Sequence, residues 1–268
     1  MSKVLLAGPW VGEFGWELFC WQAFIRNISN DFDKVIMIGR QTNEFLYKDY
    51  IDQYIPFDPK SFKTDAWRCH NAISHDHIIE YTPHDVYISG NFDIGMRYTH
   101  NGVVDTKGLF FNRQKFIKYV SDVKIDDKFS EDGYDVLFHC RNKSTGDERN
   151  WSYDKWVELE SLLDEDILIG CIGNDEAFHI PNTDDLRNIN TEQLVAIFNS
   201  SSLIVGPSSG PMHLASLSGL DHLVWSTDYN RVRYEKDWNP LKTKVIFHSE
   251  GGWDPNPNKI AEIINDLV

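Results

Sequence analysis

Short apolar runs that end at glycine, alternating with longer stretches of helical periodicity, set the frame of this chain. Residues 3–7 (KVLLA) read as a buried first strand. Gly8-Pro9-Trp10-Val11-Gly12-Glu13-Phe14-Gly15 follows as a glycine-spaced loop. Over 16–28, the spacing of Leu18, Phe19, Trp21, Gln22 and Ile25 predicts a helix with one buried face. Residues 34–38 (KVIMI) form a second strand, closed by Gly39. Strand, glycine loop, helix, strand is the opening of a doubly wound α/β domain, whose ligands bind beyond the carboxyl ends of the strands.

The pattern then weakens. A helix is expected over 43–50, a short strand over 85–88 and a helix over 113–120, while 90–98 reads as an irregular loop of polar and aromatic residues that either lines a pocket or merely connects. The charged, aperiodic stretch 121–133 ends in Asp-Gly and reads as a linker. After it the α/β pattern restarts. Strands are expected at 134–139, 167–172 and 203–205, with 221–225 closing the sheet; helices at 152–163 and 191–199, capped by Ser152 and Thr191; and an amphipathic helix at the end. The expected architecture is α/β: two Rossmann-like doubly wound domains facing each other across a cleft. They span 1–128 and 129–256, and the terminal helix 257–268 packs back on the first.

Chemistry concentrates in Leu203 to Leu217, LIVGPSSGPMHLASL. An apolar strand breaks into Gly206-Pro207-Ser208-Ser209-Gly210-Pro211, and a helix starts near Met212-His213. Such a loop exposes backbone N–H groups that have no partner within the helix, and the helix dipole adds positive potential there, which suits a phosphate or diphosphate. Ser208 and Ser209 offer hydroxyls and His213 lies one turn in; the alternative is a plain turn in which a serine caps the helix.

Composition narrows the classes. A net charge of −15 argues against broad binding to nucleic acid or anionic membrane. The two basic clusters, Arg141/Lys143/Arg149 and Arg231/Arg233/Lys236, are interleaved with acids and read as solvated faces. The four cysteines are scattered, which fits reduced thiols. His70, His75, His77 and His84 cluster without metal-ligand spacing, so no metal site is expected. No apolar run reaches membrane length and the first residues lack a signal peptide, so a cytoplasmic protein is expected.

Four ordered blocks, covering 134 to about 226, resemble the ADP-heptose:lipopolysaccharide heptosyltransferase family of GT-B glycosyltransferases. VLFHCRNKS looks like the family's V-I-H-P-G-A-S, and RNWSYDKWVEL like its K-R-W-P-x-E-R-W-A-E-L. IGCIGNDEA looks like its strand and G-x-x-x-E turn, and IVGPSSGPMHLASLSG is close to V-V-G-N-D-S-G-P-M-H-L-A-A-A-L-G. The resemblance implies a nucleotide-sugar donor held mainly by the second domain. It puts Glu176, on the turn from Gly173, at the donor ribose, and Ser208, Ser209, Gly210, Pro211, Met212 and His213 at the diphosphate and sugar. Arg141, Lys143 and Ser144 fall on the phosphate-side loop, and Arg149 would neutralise the leaving diphosphate. Two positions depart from the pattern: Ser208 replaces the family's acid and Arg141 its glycine.

Transfer needs a base for the acceptor hydroxyl. The family's base follows the first glycine loop, where this chain offers Glu13, in the loop and facing the cleft, and Glu17, in the first helical turn, which the helix pattern aligns better with the family's aspartate; either is alternatively a favourable acid at a helix start. Trp10 and Arg97 are placed on the acceptor side. The resemblance implies inversion without a required metal or other cofactor, on an acceptor that is a glycan or another soluble molecule. Two alternatives are glycosylation of hydroxymethylated cytosine in bacteriophage DNA, which needs a groove lined by Arg40, Arg97, Arg231 and Arg233, and an inactive nucleotide-sugar-binding protein. An oxidoreductase reading is poor, because no G-x-G-x-x-G follows a strand.

Overall fold

Parallel strand pairing organises both halves of the chain. The computed structural model describes residues 2–10, 12–57, 76–88, 90, 97–98, 104–105, 114–125, 129–130, 132–144 and 146–268. Two compact units result, Met1–Phe116 and Ile117–Val268. This differs from the expected boundary at 128, because residues from 117 onward already bond into the second unit: the Tyr119 amide donates to the Leu217 carbonyl at 2.9 Å.

In the first unit, β1 (Val4–Ala7), β2 (Lys34–Gly39), β3 (Gln53–Pro56) and β4 (Val86–Ile88) form a sheet of order β3-β2-β1-β4. Every pairing in it is parallel, with Ala7 opposite Met37 on one side and Ile88 on the other. Leu6, Ile36 and Ile38 form its apolar centre, against which Ile55, Ile79 and Tyr87 pack. Between β1 and β2 runs a helical stretch made of α1 (Phe14–Trp16), a π-helical turn (Glu17–Trp21) and α2 (Gln22–Ile28). One buried face was expected of it, yet Gly15 to Arg26 are all buried. The expected helix at 43–50 is a 3-10 turn, Gln41–Leu46, followed by turns. A short helix α3 (Asp76–Tyr81) and a two-residue antiparallel ribbon, β5 (Arg97–Tyr98) with β6 (Val104–Asp105), complete the unit. The expected helix at 113–120 is not found over 114–120, and Arg113 lies outside the described residues.

The second unit holds β7 (Val136–Phe138), α4 (Tyr153–Ser161), β8 (Ile169–Gly173), β9 (Asp184–Arg187), α5 (Thr191–Ser200), β10 (Leu203–Pro207), α6 (Gly210–Ser218), β11 (Asp221–Trp225), β12 (Val245–His248) and α7 (Pro257–Asn265). Its six strands are all parallel in the order β12-β11-β10-β7-β8-β9. The sheet therefore closes on β12 rather than β11. One face carries a tryptophan cluster: Trp151 stacks on Trp225 at 4.5 Å and meets Trp156 edge-on at 5.1 Å. Ile260, Ala261 and Ile264 of α7 join this same core and α7 packs on α4, so the terminal helix belongs to the second unit, where its apolar stripe is covered. The cap of α5 is Asn190, in a capping box with Gln193, rather than Thr191.

Each sheet starts in its interior, extends one way, then reverses. The reversal falls between β1 and β4 in the first unit and between β7 and β10 in the second. At such switch points the carboxyl ends of adjacent strands lead to opposite faces and leave a crevice for ligands.

Candidate active site

At the second unit's switch point, β10 runs through Gly206-Pro207 into Ser208 and Ser209, and α6 begins at Gly210 with Pro211 in its first turn. Ser209 holds the N-cap position but makes no side-chain cap bond. Its Oγ is buried and has no hydrogen-bond partner among the described residues. A buried hydroxyl left without a partner is costly and marks a place that a ligand oxygen can complete. Ser208 is used differently. Its amide donates to the Trp225 carbonyl at 3.1 Å, and its Oγ accepts from the Tyr234 hydroxyl at 2.9 Å.

His213 is buried one turn into α6, its ring stacked on Tyr234 at 4.5 Å and edge-on to Trp238 at 4.7 Å. Burial holds its pKa well below the usual histidine value and the nearby Arg233 charge adds to this, so the ring is neutral at pH 7. Tyr234 lies on the π-helical turn Arg233–Asp237, and burial pushes its phenol up to about 12, so it keeps its proton. Met212 is wholly buried, with its Sδ beside Gly206; its side chain is core, which corrects the expectation that it faces the donor.

The loop after β7 carries the positive charge. Arg149 ends the turn Asp147–Arg149, half-buried, with its guanidinium 5.9 Å from the Trp253 ring centre. Its Nε makes no hydrogen bond; the Glu148 carboxylate stands 3.9 Å away, an ion-pair distance too long for one. Gly146 takes a positive φ of 59°, and a Cβ there would stand 2.4 Å from an Arg149 terminal nitrogen. Arg149 thus stands on the loop after β7, the strand that pairs with β10.

Arg141 was expected among the donor contacts. It is instead buried beneath this loop, donating to the Gly146 carbonyl at 2.9 Å and to Asn150 Oδ1. Asn150 in turn donates to the Lys143 carbonyl at 2.7 Å. Arg141 thus braces the turn that presents Arg149. Lys143 and Ser144 are exposed on the same loop. Beyond β8, Gly173 has φ 142° and starts the turn on which Glu176 is exposed. Between that turn and α6, His139 is buried at the end of β7, where burial lowers its pKa to about 3.

In the first unit, the glycine loop sits at the β1/β4 switch point. Gly8 adopts φ 106° and a Cβ there would lie 2.1 Å from the Ile38 carbonyl oxygen. Gly90 is as constrained, since its Cβ would meet the Pro9 carbonyl oxygen at 2.1 Å. Trp10 is fully buried, stacked on Trp21 at 6.1 Å, with its indole N–H on the Glu13 carbonyl at 3.3 Å. Trp10 is therefore packed under the loop. Arg97 lies on β5, and its side chain falls outside the described residues.

The two candidate bases separate clearly. Glu17 is wholly buried, accepting from Tyr47 at 2.5 Å and from Asn43 at 2.8 Å. Burial raises its pKa, against the lowering pull of Arg40 and these two bonds. Glu13 is half-buried at the N-cap of α1, without a side-chain cap bond. Of the two, only Glu13 keeps exposed surface.

Among the described residues no group of three or more His, Cys, Asp or Glu could hold a metal ion; His70, His75 and the His77 side chain lie outside them. Cys20, Cys140 and Cys171 are buried and outside any disulfide, and Cys69 is outside the described residues. No described helix is long and apolar enough to cross a membrane. Sequence reading missed Tyr234, whose only signal was its place in the Arg231–Lys236 basic run, and the packing of Arg233 against Trp238 at 4.9 Å.

No protein-family model matches the chain, and no curated protein matches it. Solved structures do. The glycosyl transferase family 9 protein from Veillonella parvula is similar with a TM-score of 0.59 at 13% identity, covering 99% of this chain and 96% of that one. The E. coli ADP-heptose lps heptosyltransferase II has a TM-score of 0.58 at 14% identity, over 99% and 98% of the two chains. E. coli heptosyltransferase WaaC, solved with ADP, has a TM-score of 0.58 at 13% identity, over 99% and 100%. At these identities the likeness defines the fold, which is that of the GT-B glycosyltransferases. It points to the same proteins as the four sequence blocks.

Proposed function

We propose that this protein is a glycosyltransferase that moves a sugar from a nucleotide-diphosphate donor to an acceptor hydroxyl. The observation that carries the reading is the buried, unpartnered Ser209 hydroxyl, at the amino end of α6 and on the sheet's switch point, with Arg149 on the loop that follows the neighbouring strand β7. Phosphate oxygens complete such a loop, because helix N–H groups and a guanidinium both favour them. Glu176, exposed on the turn after β8, is the ribose contact. Similarity to a protein named an ADP-heptose lps heptosyltransferase, and to a heptosyltransferase solved with ADP, supports a nucleotide-sugar donor.

In this reading Glu13 accepts the acceptor's proton as its oxygen bonds to the anomeric carbon. The bond from that carbon to the diphosphate oxygen breaks, and the electron pair leaves with the diphosphate, whose charge Arg149 and the α6 amides stabilise. Attack opposite the departing group inverts the anomeric centre, and these fixed positive groups do the charge work without a metal. A glycan or other soluble hydroxyl compound is the favoured acceptor. A DNA acceptor is less well supported, because Arg231 is already ion-paired to Asp228 at 2.8 Å and Glu235 at 3.1 Å.

The separating experiment uses two variants. Glu13→Gln should lower turnover by about 10²–10⁴-fold while leaving nucleotide-sugar affinity intact. Ser209→Ala should instead weaken donor binding by about tenfold. Wild-type turnover in Glu13→Gln would remove the base assignment.

A further inference from the structure

Tyr234 bonds both serines of the loop. It is 1% exposed. Its hydroxyl accepts from the Ser209 amide at 3.1 Å and donates to Ser208 Oγ at 2.9 Å, and its ring lies on His213, tilted by only 17°. One side chain therefore joins three consecutive parts of the loop: the serine that ends the strand, the N-cap serine and the first helical turn.

These bonds also decide which loop amides remain for an anion. The Ser208 amide goes to Trp225, the Ser209 amide goes to Tyr234, and Pro211 has none. Gly210 and Met212 supply the remaining donors at the helix start. Because the phenol keeps its proton, the loop is tied by neutral hydroxyls, and no carboxylate stands at position 208 to oppose the diphosphate.

We propose that Tyr234 is the positioning residue of the donor loop: through Ser208, the Ser209 amide and His213 it holds the Gly210 and Met212 amides and Ser209 Oγ in the arrangement that receives a diphosphate. This rests on the transferase reading above and adds a residue that acts through the loop rather than on the donor.

The test compares wild type, Tyr234→Phe, Ser208→Ala and the double variant. The probes are nucleoside diphosphates and inorganic pyrophosphate, and Ser209 amide exchange is measured without ligand. Tyr234→Phe should speed Ser209 exchange at least about tenfold and weaken diphosphate affinity per folded molecule about tenfold, beyond the small fall in melting temperature that loss of a buried hydroxyl brings. Ser208→Ala cuts the same link from its other end without touching the ring. It should weaken binding too, and the double variant should lose less than the product of the two single losses. A purely structural tyrosine would lower the melting temperature and leave affinity per folded molecule unchanged, which would overturn the proposal. Wild-type protein that binds neither nucleotide nor pyrophosphate would overturn the transferase reading as well; wild type that binds, with variants binding equally, overturns this inference alone.

Discussion

At the residue scale, burial sorts groups that the sequence leaves equivalent. Glu13 and Glu17 are four apart on one helical start, and nothing in the pattern says which one is enclosed. The π-helical turn sinks Glu17 against Tyr47 and Asn43 and leaves Glu13 at the loop edge. A carboxyl whose folded pKa is raised contributes stability that is present below its unfolded value, near 4.5, and lost as pH rises through the folded value. Hydrogen exchange in the first unit should therefore quicken as pH rises above that point, after correction for intrinsic rates, and Glu17→Gln should flatten the trend. The buried histidines of the second unit act in the opposite sense. His139 is lowered to about 3, His222 to about 4 and His213 well below its ordinary value. Their contribution is present above pH 6.5 and is lost as pH falls through those values, so the second unit should open in acid. Equal pH trends in the two units would contradict these assignments.

At the element scale, apolar runs were readable where both faces of a strand are covered, as in β1, β2, β8, β10 and β11. The strands missed were the outer ones. β9 is Asp-Asp-Leu-Arg with only Leu186 buried, β3 is partly exposed, and β12 is intermediate throughout. An edge strand has one neighbour and tolerates charge, so it lacks the continuous apolar signature. The serine loop was legible because glycine, proline and hydroxyl residues stand between an apolar strand and a helix. Tyr234 was not, because its partners are 25 and 26 residues away. The glycine loop of the first unit yields a direct prediction. Gly8→Ala forces a Cβ against the Ile38 carbonyl at a positive φ, and it should destabilise the first unit by roughly 2–4 kcal/mol in denaturant melts. A cost below about 0.5 kcal/mol, the range of ordinary surface changes, would mean that the loop does not have this form.

For the whole molecule, each unit contributes one switch point with its own chemistry. The first presents Glu13 on a loop packed between Ile38 and Gly90; the second presents Ser209, Arg149 and Glu176 around the carboxyl ends of β7, β8 and β10. Trp10, Arg141, Met212 and Glu17, expected at contact positions, are buried in the packing instead. Those four are large or charged residues in loop or helix starts, where composition suggests exposure and packing decides otherwise. The claim on which the rest depends is that the second unit receives a nucleoside diphosphate. Thermal melting in the presence of ADP, UDP, GDP and CDP, and of their sugar conjugates, with and without magnesium, measures it directly, because a ligand that binds only the folded state raises the transition. One nucleotide series should raise the melting temperature without magnesium, and Ser209→Ala should reduce the shift. No shift with any nucleotide at millimolar concentration would contradict it.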